Sequence, residues 1–403
     1  MVEKITKLLK YPYSYLKHKV LKDNDNAIRI SNINKECFFG YYNLNPSDAD
    51  NKHVLYHSVE KKIRMPNAES TAEVGLIDLE NNYKNIVIDH TKAWSWQLGS
   101  MLQWVNNRSG KSIIYNTVID NKYASKEFNL EKASYKIYTE PVFCVNRTGD
   151  LSITIDFNRL HYARPGYGYV ALFENFTPIN FPDNDGVWLY NLKNGNKDLI
   201  VTFRQLANNN PRDFFDTAFH WVNHLEFSPS GKVFAFIHRW KINGIRKSRL
   251  YIANIDGTGL KCLLDYDEVS HYTWQNDDTI IIWANDSNYC AHYLIVSIAN
   301  GSISNFCKGL LSEDGHPTFS PNGNYLITDT YPDNERLKSL LLVNPENCDS
   351  ICLGKYFTPI SYRGAYRNDL HPRWINNKTI CFDSVHEGKR AIYLLDINPF
   401  INA

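Results

Sequence analysis

Four histidines share one register along the chain. His224, His271, His316 and His371 each stand three residues before an aromatic residue, respectively Phe227, Trp274, Phe319 and Trp374. Imidazole binds divalent metals through a neutral nitrogen and moves protons near neutral pH, so four of them brought to one patch would hold a metal, transfer protons, or do both. Arginines and tyrosines accompany them. Arg239 closes the strand after His224, Asn368 and Arg373 flank His371, and Arg164, Tyr167 and Tyr169 belong to the segment FNRLHYARPGYGY. A guanidinium fork matches a carboxylate bidentately and exposed Trp and Tyr rings stack on sugar faces, which together predict a site for an acidic sugar. The residues expected to contact it are Arg164, Tyr167, Tyr169, Trp221 and Arg373. Each has a plainer use as well: a repeated histidine can serve a hydrogen bond inside its own repeat, an arginine a surface ion pair, a tyrosine the packing of a long loop. Against the first of these, the matching positions of two earlier repeats hold Met101 and Pro141.

The elements that must position these side chains recur. An aromatic or apolar residue, a turn rich in Ser, Pro, Asn, Asp and Gly, and an alternating apolar strand return seven times between residues 44 and 387, as in QWVNNRSGKSIIYNTV (103–118), EFSPSGKVFAFIHR (226–239) and TFSPNGNYLITDTY (318–331). Several copies are followed by a second apolar strand ending in a polar turn, such as VWLYNLKNGN (187–196) and LYIANIDGTG (250–259). Repeats of about 50 residues built from hairpins are the mark of propeller blades. The expectation is an all-β chain, a seven-bladed β-propeller over residues 27–403, with residues 1–26 as a short helical or extended basic tail. The first strand of each blade lines the central channel of such a fold, so the four histidines would meet at its mouth. The longest gap, about 158–220, is expected to form an insertion, and a strand near Ala27 to Ile33 to complete the last blade beside Ala391 to Asp396.

Composition narrows the function classes. Lys and Arg number 44 against 43 Asp and Glu, a net charge of +1, so no long-range field points to nucleic acid. The eight cysteines lack CxxC spacing and read as free, mostly buried thiols. Lysines at 4, 7, 10, 17, 19 and 22 interrupt any apolar run long enough for a secretion signal or a membrane span. This predicts a cytoplasmic protein with no transmembrane segment and at most weak membrane-surface contact through the N-terminal tail. Neither a GxSxG elbow nor a P-loop is present, which sets serine-peptidase and nucleotide chemistry aside.

With DGHPTFSPNG (314–323) and DLHPRW (369–374) in view, the chain resembles the propeller polysaccharide lyases. These are the oligogalacturonate lyases and, in the style of RPGYGY, HWVNH and SVHEG, the ulvan and rhamnose-glucuronate lyases. The resemblance runs over about residues 30–400; its SPxG turns also fit TolB-like propellers, and the histidine register carries the specificity. It implies His271 as catalytic base, His316 and His371 as ligands of a divalent metal (Mn, Zn or Ca), and Asn368 where a ligating glutamine is expected. Arg373 takes the place of a last ligating histidine, a departure that weakens a tightly bound metal and offers an arginine to the substrate instead. The implied reaction is β-elimination at a 4-linked uronic acid of an acidic oligosaccharide or polysaccharide, with His224 or a tyrosine as acid and Arg239 neutralising the carboxylate. Two other readings stand beside it. One is a non-catalytic glycan-binding or scaffold propeller of surface-polysaccharide metabolism; the other is a sugar hydrolase or transferase, which would need a buried carboxylate pair.

Overall fold

The computed structural model describes residues 26–60, 65–105 and 111–401; the expected tail at 1–26 lies, but for its last residue, outside the described residues. The chain is a seven-bladed β-propeller of seven antiparallel four-stranded sheets. In six of them the strands follow chain order. In the seventh, Arg373–Trp374, Thr379–Ser384 and Ala391–Asp396 are completed by Ile28–Arg29. Ile28 faces Leu394 and Arg29 faces Tyr393, the closure that the sequence predicts.

Strands form where β-branched and aromatic residues run together, as in Thr279–Asn285, TIIIWAN, which is buried along nearly its whole length. The SPSG and SPNG turns close because Gly231 and Gly323 take φ of 73° and 76°, values that a Cβ would strain. The first repeat departs from its expected reading. Its inner strand is Glu36–Phe38, which pairs with the end of His53–Val59, whereas Ser47 makes only an isolated bridge to Val54, next to Pro46, which has no N–H to give.

Residues 158–220 are not one insertion. Gly186–Asn191 and Lys197–Thr202 are outer strands of the third blade, and they divide the interval into a connection with the helix Phe157–Ala163 and another with the helix Phe203–Asn208. Asp156 caps the first by accepting the amides of Asn158 and Arg159; Thr202 and Gln205 form a reciprocal capping box on the second.

The chain falls into two compact units. One comprises the residues up to 65, 73–89 and those from 309 on, and carries blades one, six and seven; the other comprises 66–72 and 90–308, and carries blades two to five. In the first, Trp374 packs with Leu340, Phe382 and Tyr393, and its indole N–H donates to the Thr318 carbonyl of blade six at 3.1 Å. In the second, Trp274 packs with Ile237, Leu250 and Ile282. The aromatic residue of the repeat thus belongs to the core between blades. Six cysteines are free thiols, whereas Cys307 and Cys348 are disulfide-bonded, against the expectation of thiols throughout. Among the described residues no helix is long and apolar enough to cross a membrane.

Candidate functional site

In the first unit, the strands Thr318–Phe319 and Arg373–Trp374 each begin two residues after a histidine. His316 and His371 meet there, with ring centroids 4.4 Å apart. Gly315 permits the approach, since a Cβ at that position would run into the carbonyl of Asp329. His371 has a left-handed backbone, φ 44°, a conformation that costs a non-glycine residue about 1–3 kcal/mol and gathers at functional sites. Both side chains are buried, and the rings of Tyr42 and Tyr41 lie 5.2 Å from His316 and 5.5 Å from His371.

Each imidazole is held by its Nδ1. His316 Nδ1–H donates to Asp329 Oδ1 at 2.7 Å, and His371 Nδ1–H donates to the Gly40 carbonyl at 2.8 Å. Asp329 also accepts the backbone amides of His316, Leu370 and His371 at 2.9, 3.0 and 3.1 Å. Fixing Nδ1 as the donor leaves Nε2 as the ligating atom. His371 Nε2 is buried and makes no hydrogen bond among the described residues. The Asp369 carboxylate completes a cluster in which the ligand atoms of His316, Asp369 and His371 all lie within 4.8 Å of one another. Ligands about 2.1 Å from a cation stand about 3 to 4.2 Å apart, so the three groups would draw inward to hold one. Two imidazoles and a carboxylate with open positions suit a divalent transition ion.

The charges are set by neighbours. Asp369 is shared with Lys338 Nζ at 3.2 Å and Arg367 Nε at 2.6 Å. Burial alone would raise its carboxyl, but Arg367 and Lys338 outweigh burial and hold it well below the ordinary carboxylate range. Burial likewise opposes a proton on His316, yet the charge and hydrogen bond of Asp329 prevail and raise its pKa. His371 is pushed well below the usual imidazole range by burial and then by the charge of His316. Without a cation a proton is favoured on His316 over His371, and a metal binding through Nε2 competes with any proton there.

Two residues assigned to this centre from sequence are engaged elsewhere. Asn368 accepts from Arg390 at 3.1 Å and donates to the carbonyls of Asp369 and Asp383, so its amide is turned away from the histidines. Arg373, 1% exposed, donates to the carbonyls of Gly40 and Tyr41 and faces Asp383 at 3.3 Å; its fork is committed to the fold. Asp329 and Lys338 contact this cluster in ways that sequence does not single out. Asp329 reads as one of several loop carboxylates, and fully buried Lys338 gives no signal, since its partners Asp369 and the Asn368 carbonyl come from the next blade.

His224 and His271 belong to the second unit, each at a break in a ladder. The pairing shifts between Asn223 and Glu226 and between Val269 and Tyr272, bulges that re-aim a side chain. His224 is left-handed at φ 51°, as is Met101 at 54°. His224 stacks on Tyr272 at 4.0 Å with its Nε2 3.7 Å from Glu226; His271 Nδ1 lies 3.2 Å from the Ser270 hydroxyl. Arg239, half-buried, donates to Asn223 at 2.8 Å. The expected sugar contacts are packed instead. Trp221 is 1% and Tyr169 0% exposed; Tyr169 stacks on Phe157 at 4.1 Å and its hydroxyl accepts from Asn116 at 2.8 Å. Buried Tyr167 lies under the guanidinium of Arg164, 4.6 Å from its ring. These aromatics hold the connection in place, the plainer of their two uses.

No protein-family model and no curated relative matches the chain. Solved structures do. An oligogalacturonate lyase in complex with manganese superposes with a TM-score of 0.65 at 16% identity, covering 92% of both chains. The oligogalacturonate lyase of Vibrio parahaemolyticus gives 0.62 at 13% identity over 92% of this chain and 93% of its own. A puromycin-hydrolyzing peptidase of Mycobacterium tuberculosis gives 0.53 at 12% identity, over 89% of this chain but 53% of its own. What the likeness shows is the fold, a seven-bladed propeller similar along 92% of the chain to that of oligogalacturonate lyase.

Proposed function

We propose that the chain is a polysaccharide or oligosaccharide lyase that cleaves at a 4-linked uronic acid by β-elimination. One observation carries the reading: two buried histidines, each tied through Nδ1, meet an ionised carboxylate within 4.8 Å, in a propeller similar to one solved with manganese. His316, His371 and Asp369 would hold a divalent cation. When bound, the cation supplies positive charge for a substrate carboxylate, which makes the weakly acidic C5 proton easier to remove. Asp329 keeps the His316 ring oriented, Arg367 and Lys338 keep Asp369 anionic, and Tyr41 and Tyr42 shield the pair from bulk water. Proton removal is assigned to His271, proton donation to His224 and charge neutralisation to Arg239, as the resemblance implies. Arg373 has no role toward substrate in this proposal, because its donors serve Gly40, Tyr41 and Asp383. An enzyme acting in the cytoplasm would take imported oligosaccharides or nascent polymer.

A glycan-binding propeller without catalysis is the second reading. The engagement of Asn368 and Arg373 favours it, since it leaves three protein ligands for a cation among the described residues. The two separate by ultraviolet absorbance of the unsaturated uronate product, followed on uronate oligosaccharides with manganese or with a chelator. The lyase reading expects a manganese-dependent rise that falls about 100-fold or more in His271→Ala, and is lost in His316→Ala and His371→Ala. Binding of the same oligosaccharides with no rise would establish the second reading instead.

A further inference from the structure

The third blade holds a cavity of about 540 Å³ that takes no part in the metal centre. It is bounded by the end of the strand Leu151–Thr154, the start of the helix Phe157–Ala163 and the strand Gly186–Asn191. A space of this size suits a small ligand. Thr154 and Trp188 are partners across the ladder, which puts their side chains on the same side of the sheet, and both line the cavity. Lys197 lies 4.5 Å over the Trp188 ring and is paired with Glu140 at 2.6 Å, so the indole is held in one orientation.

Among the described residues, two of these polar atoms have no partner. Thr154 is 1% exposed, and neither its hydroxyl nor the buried Oδ1 of Asn158 makes a hydrogen bond there. Buried polar atoms are rarely left so unless a ligand or water completes them. The Asp156 carboxylate beside them accepts two backbone amides through one oxygen. An amide oxygen and a carboxylate only accept, and a hydroxyl can do so, which means that whatever fills the cavity must bring donors. An anion is unsuited on two counts. Arg159 commits its guanidinium to Asp185 at 2.7 Å and to the carbonyls of His220 and Ile179, each at 2.8 Å, and Lys197 is already paired. Burial, and then the charge of Asp185, also raise the Asp156 carboxyl, the mark of a place where added negative charge is unwelcome.

We infer that this cavity binds a neutral saccharide, with Trp188 as its stacking face and Thr154, Asn158 and Asp156 as partners for its hydroxyls. The site goes beyond the proposed lyase reaction and does not depend on it.

Titration calorimetry on the full chain tests this, with EDTA present so that the metal centre plays no part. The neutral probes are maltotriose, cellotriose and galactotriose; trigalacturonate is the anionic probe and spermidine the cationic one. A neutral trisaccharide binds, Thr154→Val weakens it about tenfold by removing one hydroxyl at constant shape, and Trp188→Ala weakens it further. Thermal melting establishes that each variant is folded, and if Trp188→Ala is not, Thr154→Val decides alone. Failure of every neutral probe, binding of trigalacturonate or spermidine in their place, or unchanged affinity in Thr154→Val would overturn the inference. A chain inactive as a lyase that still binds a neutral trisaccharide through Thr154 leaves it standing.

Discussion

Asp329 gives one oxygen to His316 and the other to the backbone amides of Leu370 and His371. A single carboxylate therefore sets both the tautomer of one histidine and the backbone of the other; under the proposed metal site it would be an outer-shell contact of the kind that tunes metal affinity by about 10- to 100-fold. Asp329→Asn keeps the acceptor and the volume but removes the charge, so it should weaken manganese or zinc binding by about that factor, measured by calorimetry, with the fold intact by circular dichroism. An unchanged affinity would leave Asp329 a purely structural residue. His316 and His371 were legible because the repeat puts them in one register. Asp329 was not, because its role exists only once a strand returns thirteen residues later to His316. Arg373 and Asn368 misled in the opposite way: their types suit a sugar acid or a metal, and only the surrounding carbonyls reveal that both are already satisfied.

Elements explain what residue types cannot. The fourth blade buries a chain of donors in which Arg249 Nε donates to His238 Nδ1 at 3.1 Å, His238 lies 2.9 Å from His220 Nδ1, and His220 Nε2 lies 3.1 Å from the Phe215 carbonyl. Burial, with the positive charge of Arg249 and Arg159 and against the Phe215 carbonyl, lowers His220 from 6.5 to about 4; burial, His220 and Arg249 take His238 well below 6.5. Both are neutral in the folded chain while the unfolded chain takes up protons below about pH 6.5, so their contribution is fully present above that pH and is lost as pH falls toward 4. For His220 the loss is on the order of 3 kcal/mol. Calorimetric melting should fall steeply between pH 6.5 and 4, and His220→Phe should flatten the profile while lowering stability at pH 7 by stranding the His238 N–H. A profile just as steep in the variant would assign the dependence to other groups. The sequence showed these two histidines only as letters in apolar strands; their pairing is a property of neighbouring strands in register. The bulges at His224 and His271 were equally hidden, since a one-residue slip leaves the apolar alternation readable.

At the scale of the whole molecule, seven sheets were countable because each repeat carries its own turn and apolar strand, and a period near 50 residues has few architectural meanings. What did not follow was how 158–220 divides, because two strands of the third blade, Gly186–Asn191 and Lys197–Thr202, are short and lie among long connections. Blade seven is completed from far away: Ile28–Arg29 covers the strand Ala391–Asp396, and Arg29 reaches Glu387 at 2.9 Å. Deleting residues up to 31 would expose that strand as a bare edge, so the truncated protein should melt roughly 5 °C lower or more and aggregate on concentration, read by calorimetry and light scattering. A truncated form as stable and monodisperse as the full chain would assign the closure to other contacts.

The same strand has a consequence in time. Arg29 leaves the ribosome 358 residues ahead of Glu387, an interval of roughly 20 to 70 s at about 5–20 residues per second. For that interval the strand Ile28–Arg29 has no sheet to join, and the seventh blade can be assembled only after translation has passed it. Nascent chains of this protein should therefore stay protease-sensitive around Ile28 until synthesis passes residue 396, however early the middle blades fold.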